Sequence, residues 1–204
     1  WDPRTAQSMV VQLADLLRRL LAAGEREWSR LADELHFVTL YLELQQARFS
    51  DRLKIELPDA ATLPHTWVPS LVLQPLVENA VAHGLAGHDG PVTIRVSVES
   101  QDDAPGGGRI RLRVENDTAP GRALGSEGIG LRNVRERLEV QLGGFARLRA
   151  GPLGENAWRS EIELPALREL PTLRESSGTA APEASRDTPT GVGARTAARA
   201  TNRG

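Results

Sequence analysis

Apolar residues in the first fifty positions recur at the spacing of an α-helix. Residues 5–23 carry one such stripe, and Pro3 and Gly24 suit its start and its stop. Residues 29–49 carry a second stripe, made of Leu31, Leu35, Val38 and Leu42. A short charged turn separates the two segments, so the pattern predicts an antiparallel helical hairpin. Such a hairpin would expose much apolar surface. We expect a second copy to cover it in a four-helix homodimer; the alternative is that it packs on the chain's own downstream domain.

After Asp51 the period changes to that of a sheet. Alternating apolar and polar residues predict strands at residues 53–57, 92–98, 110–114, 145–149 and 157–164. Helical spacing returns at residues 71–85 and 129–142. This order predicts an α+β fold: an α/β sandwich with helices on one face of a mostly antiparallel mixed sheet.

The patterns divide the chain into three parts. Residues 1–50 are the predicted helical hairpin, residues 51–166 the α/β domain, and residues 167–204 a tail. The tail is rich in Ala, Thr, Ser, Gly, Pro and Arg, with few large apolar side chains. Because it cannot bury enough apolar surface to fold, we predict that it is disordered.

Composition excludes several classes of function. The 25 Lys and Arg residues against 27 Asp and Glu give a net charge of -2, which predicts no nucleic-acid partner. The absence of cysteine excludes disulfides, thiolate zinc sites and thiol nucleophiles. No apolar run is long enough to span a bilayer. The chain begins at Trp1 rather than Met. We therefore expect a fragment that is cytoplasmic as given, with any membrane anchor in a segment missing from it.

The helix at residues 71–85 carries the first candidate site. Its apolar side is formed by Leu73, Leu76, Val77, Ala80 and Val81. Asn79 and His83 lie one turn apart on another face. An Asn on a helix packed into a core is costly unless a polar group meets it, and either a ligand or a neighbouring loop would serve.

Two other segments are candidates to meet it. Gly128 and Gly130 come just before or at the start of a helix, where glycines let the backbone approach an anion, although ordinary turns use the same pattern. Asn116 follows the strand at residues 110–114, where it would project into a pocket or simply end the strand in a turn.

Together and in this order, three stretches resemble the GHKL (Bergerat-fold) ATPase superfamily and, within it, the LytS-type sensor histidine kinases. They are YLELQQARFSDRL (residues 41–53), VPSLVLQPLVENAVAHG (residues 68–84) and GIGLRNVRERL (residues 128–138). The resemblance covers most of residues 5–165. It implies an ATP site closed by a lid at about residues 117–127.

The resemblance also implies roles for single residues. Asn79 would hold the Mg²⁺ that bridges the nucleotide phosphates, and an amide oxygen suits that ion. Asn116 would accept a hydrogen bond from the adenine amino group. Gly128 and Gly130 would cradle the phosphates, with Leu131 opening the next helix.

Two more residues of the helix at 71–85 complete the implied site. His83 would line the phosphate side. Glu78, beside the metal ligand, would orient a water or a histidine and is the one catalytic candidate. The chain departs from the family pattern at Ala82, Ser126 and Asn116, which would weaken nucleotide affinity.

The phosphoacceptor of the family, a His in an Asn-Pro-His-Phe context, is absent from this sequence. The resemblance places it upstream of Trp1. His36 is predicted to be a solvated helix position rather than the acceptor, and His65 and His88 are predicted to lie in loops.

The leading hypothesis is the catalytic part of a two-component sensor histidine kinase. It would use Mg–ATP to phosphorylate that His, from which a response regulator takes the phosphoryl group. The alternatives are a nucleotide-binding regulatory module without kinase activity, or another GHKL ATPase such as an anti-sigma-like serine kinase or a chaperone-type ATPase.

Overall fold

The computed structural model describes residues 26–86, 90–101, 108–119 and 128–171, and eight residues before them. These eight are all helical, within or next to the first predicted helix: Gln7, Val10, Val11, Ala14, Leu17, Arg18, Leu21 and Gly24. Most of the predicted lid, together with His88, Ser126 and residues 172–204 of the predicted tail, lies outside the described residues.

The predicted helices and strands of the α/β domain occur in the predicted order, and two short strands, Trp28–Arg30 and Trp67–Pro69, occur in addition. The helices are α1 (Leu31–Phe49), α2 (Gln74–Leu85) and α3 (Ile129–Leu142). The strands are β1 (Trp28–Arg30), β2 (Leu53–Glu56), β3 (Trp67–Pro69), β4 (Val92–Gln101), β5 (Arg109–Asp117), β6 (Arg147–Pro152) and β7 (Ala157–Pro165). No helix in the described part of the chain has the length and apolar character to cross a membrane.

The main sheet has the strand order β2-β4-β5-β7-β6. The β2–β4 pair is parallel and the other three pairs are antiparallel, so the predicted mixed, mostly antiparallel sheet is confirmed. Along β5 the even-numbered residues from Ile110 to Asn116 are buried. On the outer face, Arg111 and Arg113 form ion pairs with glutamates of β4 and β7.

Helices α1, α2 and α3 contribute to one hydrophobic core with the inner face of the sheet. The members from α2 and α3 include Leu76, Val77, Val81, Leu131 and Leu138. Because the outer face carries the ion pairs and the inner face carries the helices, the predicted two-layer α+β sandwich is confirmed.

The apolar stripe of α1 belongs to this same core. Leu31, Leu35, Val38 and Leu42 are each at most 3 % exposed within a single chain. For α1, the alternative considered from the sequence is therefore correct. Its apolar stripe is covered by the chain's own downstream domain and not by a second copy. Helical periodicity shows which side of a helix is apolar, but not what covers it.

The first helical segment is different. Val10, Val11, Leu17 and Leu21 are between 50 % and 72 % exposed. This is the part of the predicted dimer surface that stays uncovered in one chain.

The predicted hairpin turn contains a strand. β1 pairs with β3 in a separate two-stranded antiparallel sheet, with Trp28 opposite Pro69. The Arg30 guanidinium also lies 4.3 Å from the centre of the Trp67 ring. Sequence periodicity could not reveal this pairing, because three-residue strands are too short to show alternation.

Ordered contacts continue past the predicted domain boundary at residue 166. Leu167 pairs with Trp67 as an isolated bridge, and the Leu167 N–H donates to Thr66 Oγ1 at 2.9 Å. The first residue of the predicted tail is thus attached to the domain.

Candidate functional site

Helix α2 forms the centre of the candidate site. It begins at Gln74, with Pro75 in its first turn, and the apolar side predicted from the sequence is buried. Asn79 and His83 are both half-buried, one turn apart, as the helical spacing predicts. Ala82, one of the departures from the family pattern, is exposed.

Asn79 lies beside the start of α3. A Cβ added to Gly128 would be 3.9 Å from Asn79 Oδ1, and one added to Gly130 would be 3.4 Å from Pro75 Cβ. The start of α3 therefore lies against α2, with Gly128 facing Asn79 and Gly130 facing Pro75. The structure brings together Asn79 and the glycine pair, which the sequence separates by about fifty residues.

The start of α3 has the features of an anion site. Gly128 is its N-cap residue, in an extended conformation, and no side chain caps the helix. The first N–H groups of a helix lack partners within the helix, and they lie at the positive end of its dipole. A negative group placed beside Asn79 would face these donors.

Asn116 is buried, only 2 % exposed, with one half of its amide paired. Nδ2 donates to the Asp117 carbonyl at 2.9 Å. Oδ1 has no hydrogen-bond partner among the described residues. A buried acceptor without a partner is costly, and a ligand that donates a hydrogen bond would satisfy it.

The position of Asn116 differs from the expectation that it follows the end of a strand. β5 continues to Asp117, and Asn116 is paired with Ile94 on one side and Trp158 on the other. The Asp117 carboxylate accepts from the Thr93 N–H at 2.7 Å, which ties the end of β5 to the beginning of β4. Asn116 therefore has a fixed backbone on the inner face of the sheet.

Gly84 is a site residue whose role the sequence interpretation missed. It is the last residue but one of α2 and is buried. A Cβ at Gly84 would lie 2.7 Å from Val92 Cγ1 and 3.4 Å from Asn116 Nδ2. A glycine inside a helix lowers helix stability by about 1 kcal/mol relative to alanine. Its presence in the sequence of α2 therefore indicated that a side chain would not fit there.

Two predicted site residues, Glu78 and Leu131, do not turn their side chains toward the site. Glu78 is exposed and accepts a hydrogen bond from Gln74 Nε2 at 2.6 Å. Burial and, next, the charge of Glu78 raise the pKa of Tyr41 on α1 to about 12, so Glu78 lies on the α1 side of α2. Leu131 is 1 % exposed in the hydrophobic core, so only its backbone is available to a ligand.

His36 lies on the exposed side of α1, as expected for a solvated helix position. No group of three or more His, Asp or Glu residues that would hold a metal ion occurs in the described part of the chain. An ion held by Asn79 Oδ1 would thus need most of its ligands from a bound anion and water, which is the usual situation for Mg²⁺.

The arrangement suits an elongated ligand. Asn79 and Gly84 are separated by roughly 7.5 Å along the axis of α2, at 1.5 Å per residue. One end of the site offers an unpaired buried acceptor, and the other offers an amide oxygen and helix N–H donors. It can bind a molecule with a hydrogen-bond donor at one end and an anionic, metal-binding group at the other.

Comparisons with known sequences identify relatives. Residues 1–53 match a family model described as histidine kinase. The sensor protein kinase HptS of Staphylococcus aureus is 28 % identical over 154 residues, which cover 72 % of this chain and 30 % of HptS. The chain thus spans about 30 % of the length of the curated relatives it matches.

Solved structures give weaker likenesses. The histidine kinase domain of a blue-light activated kinase from Erythrobacter litoralis EL346 has a TM-score of 0.49 at 16 % identity, covering 80 % of both chains. Full-length ShkA in complex with AMPPNP has a TM-score of 0.45 at 24 % identity, covering 78 % of this chain and 35 % of ShkA. The two sequence comparisons relate the chain to the histidine kinases.

Proposed function

We propose, from this relationship, that the chain is the ATP-binding and catalytic part of a sensor histidine kinase of the LytS type. One observation carries the proposal. Around α2, the fold gathers Asn79, the glycine-flanked start of α3 and the unpaired buried acceptor of Asn116. These groups match the two chemically different ends of a nucleotide.

The base end of the site would be Asn116. Because a backbone carbonyl can only accept, the contact with Asp117 requires Nδ2 on that side and leaves Oδ1 as the unpaired atom. Adenine offers an amino donor to such an atom, whereas guanine has an acceptor oxygen in the same place. The amide orientation therefore favours adenine, even though a carboxylate is usual here in the family.

The phosphate end would be Asn79 with the first turn of α3. Asn79 Oδ1 would hold Mg²⁺ together with phosphate oxygens and water, and backbone N–H groups after Gly128 would bind phosphate oxygens. The metal ion, when bound, supplies neutralisation of the charge that develops during phosphoryl transfer. Positioning by Asn79 and the helix start is what the chain itself provides.

The phosphoryl group would go to a histidine outside this chain and then to an aspartate of a response regulator. The family-model match over residues 1–53 supports a histidine kinase over a chaperone-type or serine-kinase member of the superfamily. A homodimer is part of the proposal. The first helix supports it, because its apolar residues Val10, Val11, Leu17 and Leu21 are exposed.

The test is phosphorylation of the complete protein that contains this chain, using Mg²⁺ and ATP labelled in the γ-phosphate. We expect label with the acid lability of phosphohistidine, and its loss in Asn79→Ala. Label on serine would contradict the proposal in favour of an anti-sigma-like kinase.

A second candidate function is a nucleotide-binding regulatory module without kinase activity. The exposed Ala82, in place of a phosphate-binding basic residue, favours it. Under this alternative, Mg–ATP binds and Asn79→Ala weakens binding, but the complete protein acquires no label on histidine.

A further inference from the structure

The buried carboxylate of Glu34 contacts the backbone that leads into the proposed nucleotide site. Glu34 lies in the first turn of α1 and is only 4 % exposed. Its Oε1 accepts from Ser29 Oγ and from Leu71 N, each at 2.8 Å. Its Oε2 accepts from Val72 N at 2.9 Å and Leu73 N at 3.2 Å. A helix residue thus binds a segment 37–39 positions away.

These bonds hold the backbone that leads into α2. Leu73 is the N-cap residue of α2 and has no side-chain cap bond, and Pro75 in the first turn has no N–H. The carboxylate of Glu34 satisfies donors that precede the helix and places a negative charge near its positive end. The sequence of α2 alone supplies no such group.

Leu71 shows that the arrangement has a cost. Its φ is 57°, in the left-handed region that non-glycine residues rarely adopt. This turn allows three consecutive N–H groups, those of Leu71, Val72 and Leu73, to reach one carboxylate. A backbone conformation of this kind persists only where surrounding contacts hold it, and such residues cluster at functional sites.

Residues 70–73, the junction segment, are also held from the other side. The Ser70 N–H donates to the Glu27 carbonyl at 3.0 Å, next to β1. Arg137 of α3 donates to the Ser70 carbonyl, and Gln141 of α3 donates to the Glu27 carbonyl at 3.2 Å. The junction segment therefore contacts α1, precedes α2 and is bound by α3.

The electrostatics of Glu34 depend on these same contacts. Burial is the strongest influence on its carboxyl group and raises the pKa, whereas the hydrogen bonds from Ser29 and the junction segment oppose that increase. Withdrawal of the donors would leave a buried carboxylate without partners, which is strongly unfavourable.

We propose that Glu34 is a positioning residue that makes nucleotide affinity depend on the docking of α1. The inference rests on the proposed nucleotide site. A movement of α1 that withdrew the carboxylate would release three backbone donors, loosen the first turn of α2 and displace Asn79 from Gly128. Helix α1 would thus regulate the site through one side chain.

Glu34→Gln tests this link in the 204-residue chain. Gln keeps the shape but turns one acceptor oxygen into a donor, so it opposes the N–H groups of Val72 and Leu73. We expect the Kd for Mg–AMPPNP, measured by calorimetry, to rise about tenfold, in line with the loss of hydrogen bonds to a charged group. Amide exchange should become faster at Leu71, Val72 and Leu73.

Leu42→Val is the matched control. Leu42 is fully buried on α1, two turns farther along the helix, and its aliphatic side chain cannot bond the N–H groups of the junction segment. It should lower the melting temperature while changing the Kd by less than about twofold, the size typical of a distant site. An equal rise of the Kd in both variants would overturn the inference, because general destabilisation would then explain it.

The remaining outcomes are also decisive. If the wild type binds and Glu34→Gln binds equally tightly, the inference is wrong and the proposed function stands. If the wild type does not bind Mg–AMPPNP, the proposed function is wrong and the inference falls with it.

If Glu34→Gln does not fold, Ser29→Ala removes one of the four donors instead. It should raise the Kd about two- to threefold, as expected for one hydrogen bond, and an unchanged Kd would overturn the inference.

Discussion

Replacement of Gly84 by alanine tests how α2 is held against the nucleotide site. In the present structure a Cβ at this position would be 2.7 Å from Val92 Cγ1 and 3.3 Å from the Asp117 carbonyl oxygen. Val92 is fully buried, so its side chain has no open space to move into. The added methyl group must therefore push α2 away from β4 and β5.

Two opposing effects set the magnitude. Alanine is favoured over glycine inside a helix by about 1 kcal/mol. Overpacking of a tight core costs about 1–3 kcal/mol, and the 2.7 Å contact places Gly84→Ala toward the upper end of that range. The sum is a loss of about 1–2 kcal/mol in the free energy of unfolding.

The assay is urea unfolding followed by far-ultraviolet circular dichroism. Gly144→Ala is the control, because a Cβ there meets nothing within 4 Å, and it should change the free energy of unfolding by less than about 0.5 kcal/mol. Val92→Ala removes the clashing methyl groups. The double variant should therefore be more stable than the sum of the single changes by about 1 kcal/mol. A Gly84→Ala protein more stable than the wild type would refute the packing argument.

Three further predictions concern single side chains. Asn116→Ala should weaken ATP binding about tenfold, since it removes the buried acceptor, and should reduce the preference for ATP over GTP in competition calorimetry. Tyr41 is the only tyrosine in the chain, so absorbance of the phenolate reports it alone. Its titration midpoint should be about 12 in the folded protein and near 10.0 in denaturant. The free energy of unfolding should therefore fall as the pH rises from 10 through 12. For Glu161, burial would raise the pKa, but the guanidinium of Arg113 and its neighbours outweighs burial and lowers it below 4.5. The stabilisation relative to Glu161→Gln should therefore be about 1 kcal/mol at neutral pH and disappear as the pH falls from 4.5 through the lowered value, as measured by urea unfolding.

Much of the fold was predictable because its strongest signals are local. The alternation of residues in β4 and β5 predicts both strands, and the helical spacing of Leu76, Val77, Ala80 and Val81 predicts the buried side of α2. These patterns depend only on the periods of a strand and a helix.

The candidate site was predictable in part for a related reason. Asn79 is a polar residue next to the buried side of α2, and Gly128 and Gly130 lie at the start of α3, so the sequence marks each as a candidate. The sequence alone did not show that these residues meet. That proximity depends on how α3 packs beside α2, which places Gly128 next to Asn79 and Gly130 next to Pro75.

The missed features all depend on distant partners. Glu34 looks like an ordinary charge in the first turn of a helix, and only the path of residues 71–73 makes it a buried acceptor of their N–H groups. Gly84 does lie near the end of α2, but its tight packing against β4 and β5 is not visible in the sequence. The β1–β3 pair joins two segments about forty residues apart, with no alternation in either.

The most direct test of the proposed site is calorimetric titration of the 204-residue chain with ATP, with and without Mg²⁺. The account predicts Mg²⁺-dependent binding by the wild type. Asn79→Ala should bind Mg–ATP at least about 10–100-fold more weakly, because even the loss of a residue that only orients a metal ligand weakens a metal site by that factor. Its remaining binding should no longer depend on Mg²⁺. Asn156→Ala is the control, because Asn156 is exposed and bonds Thr118 through its backbone carbonyl. Equal affinity of the wild type and Asn79→Ala for Mg–ATP would contradict the account.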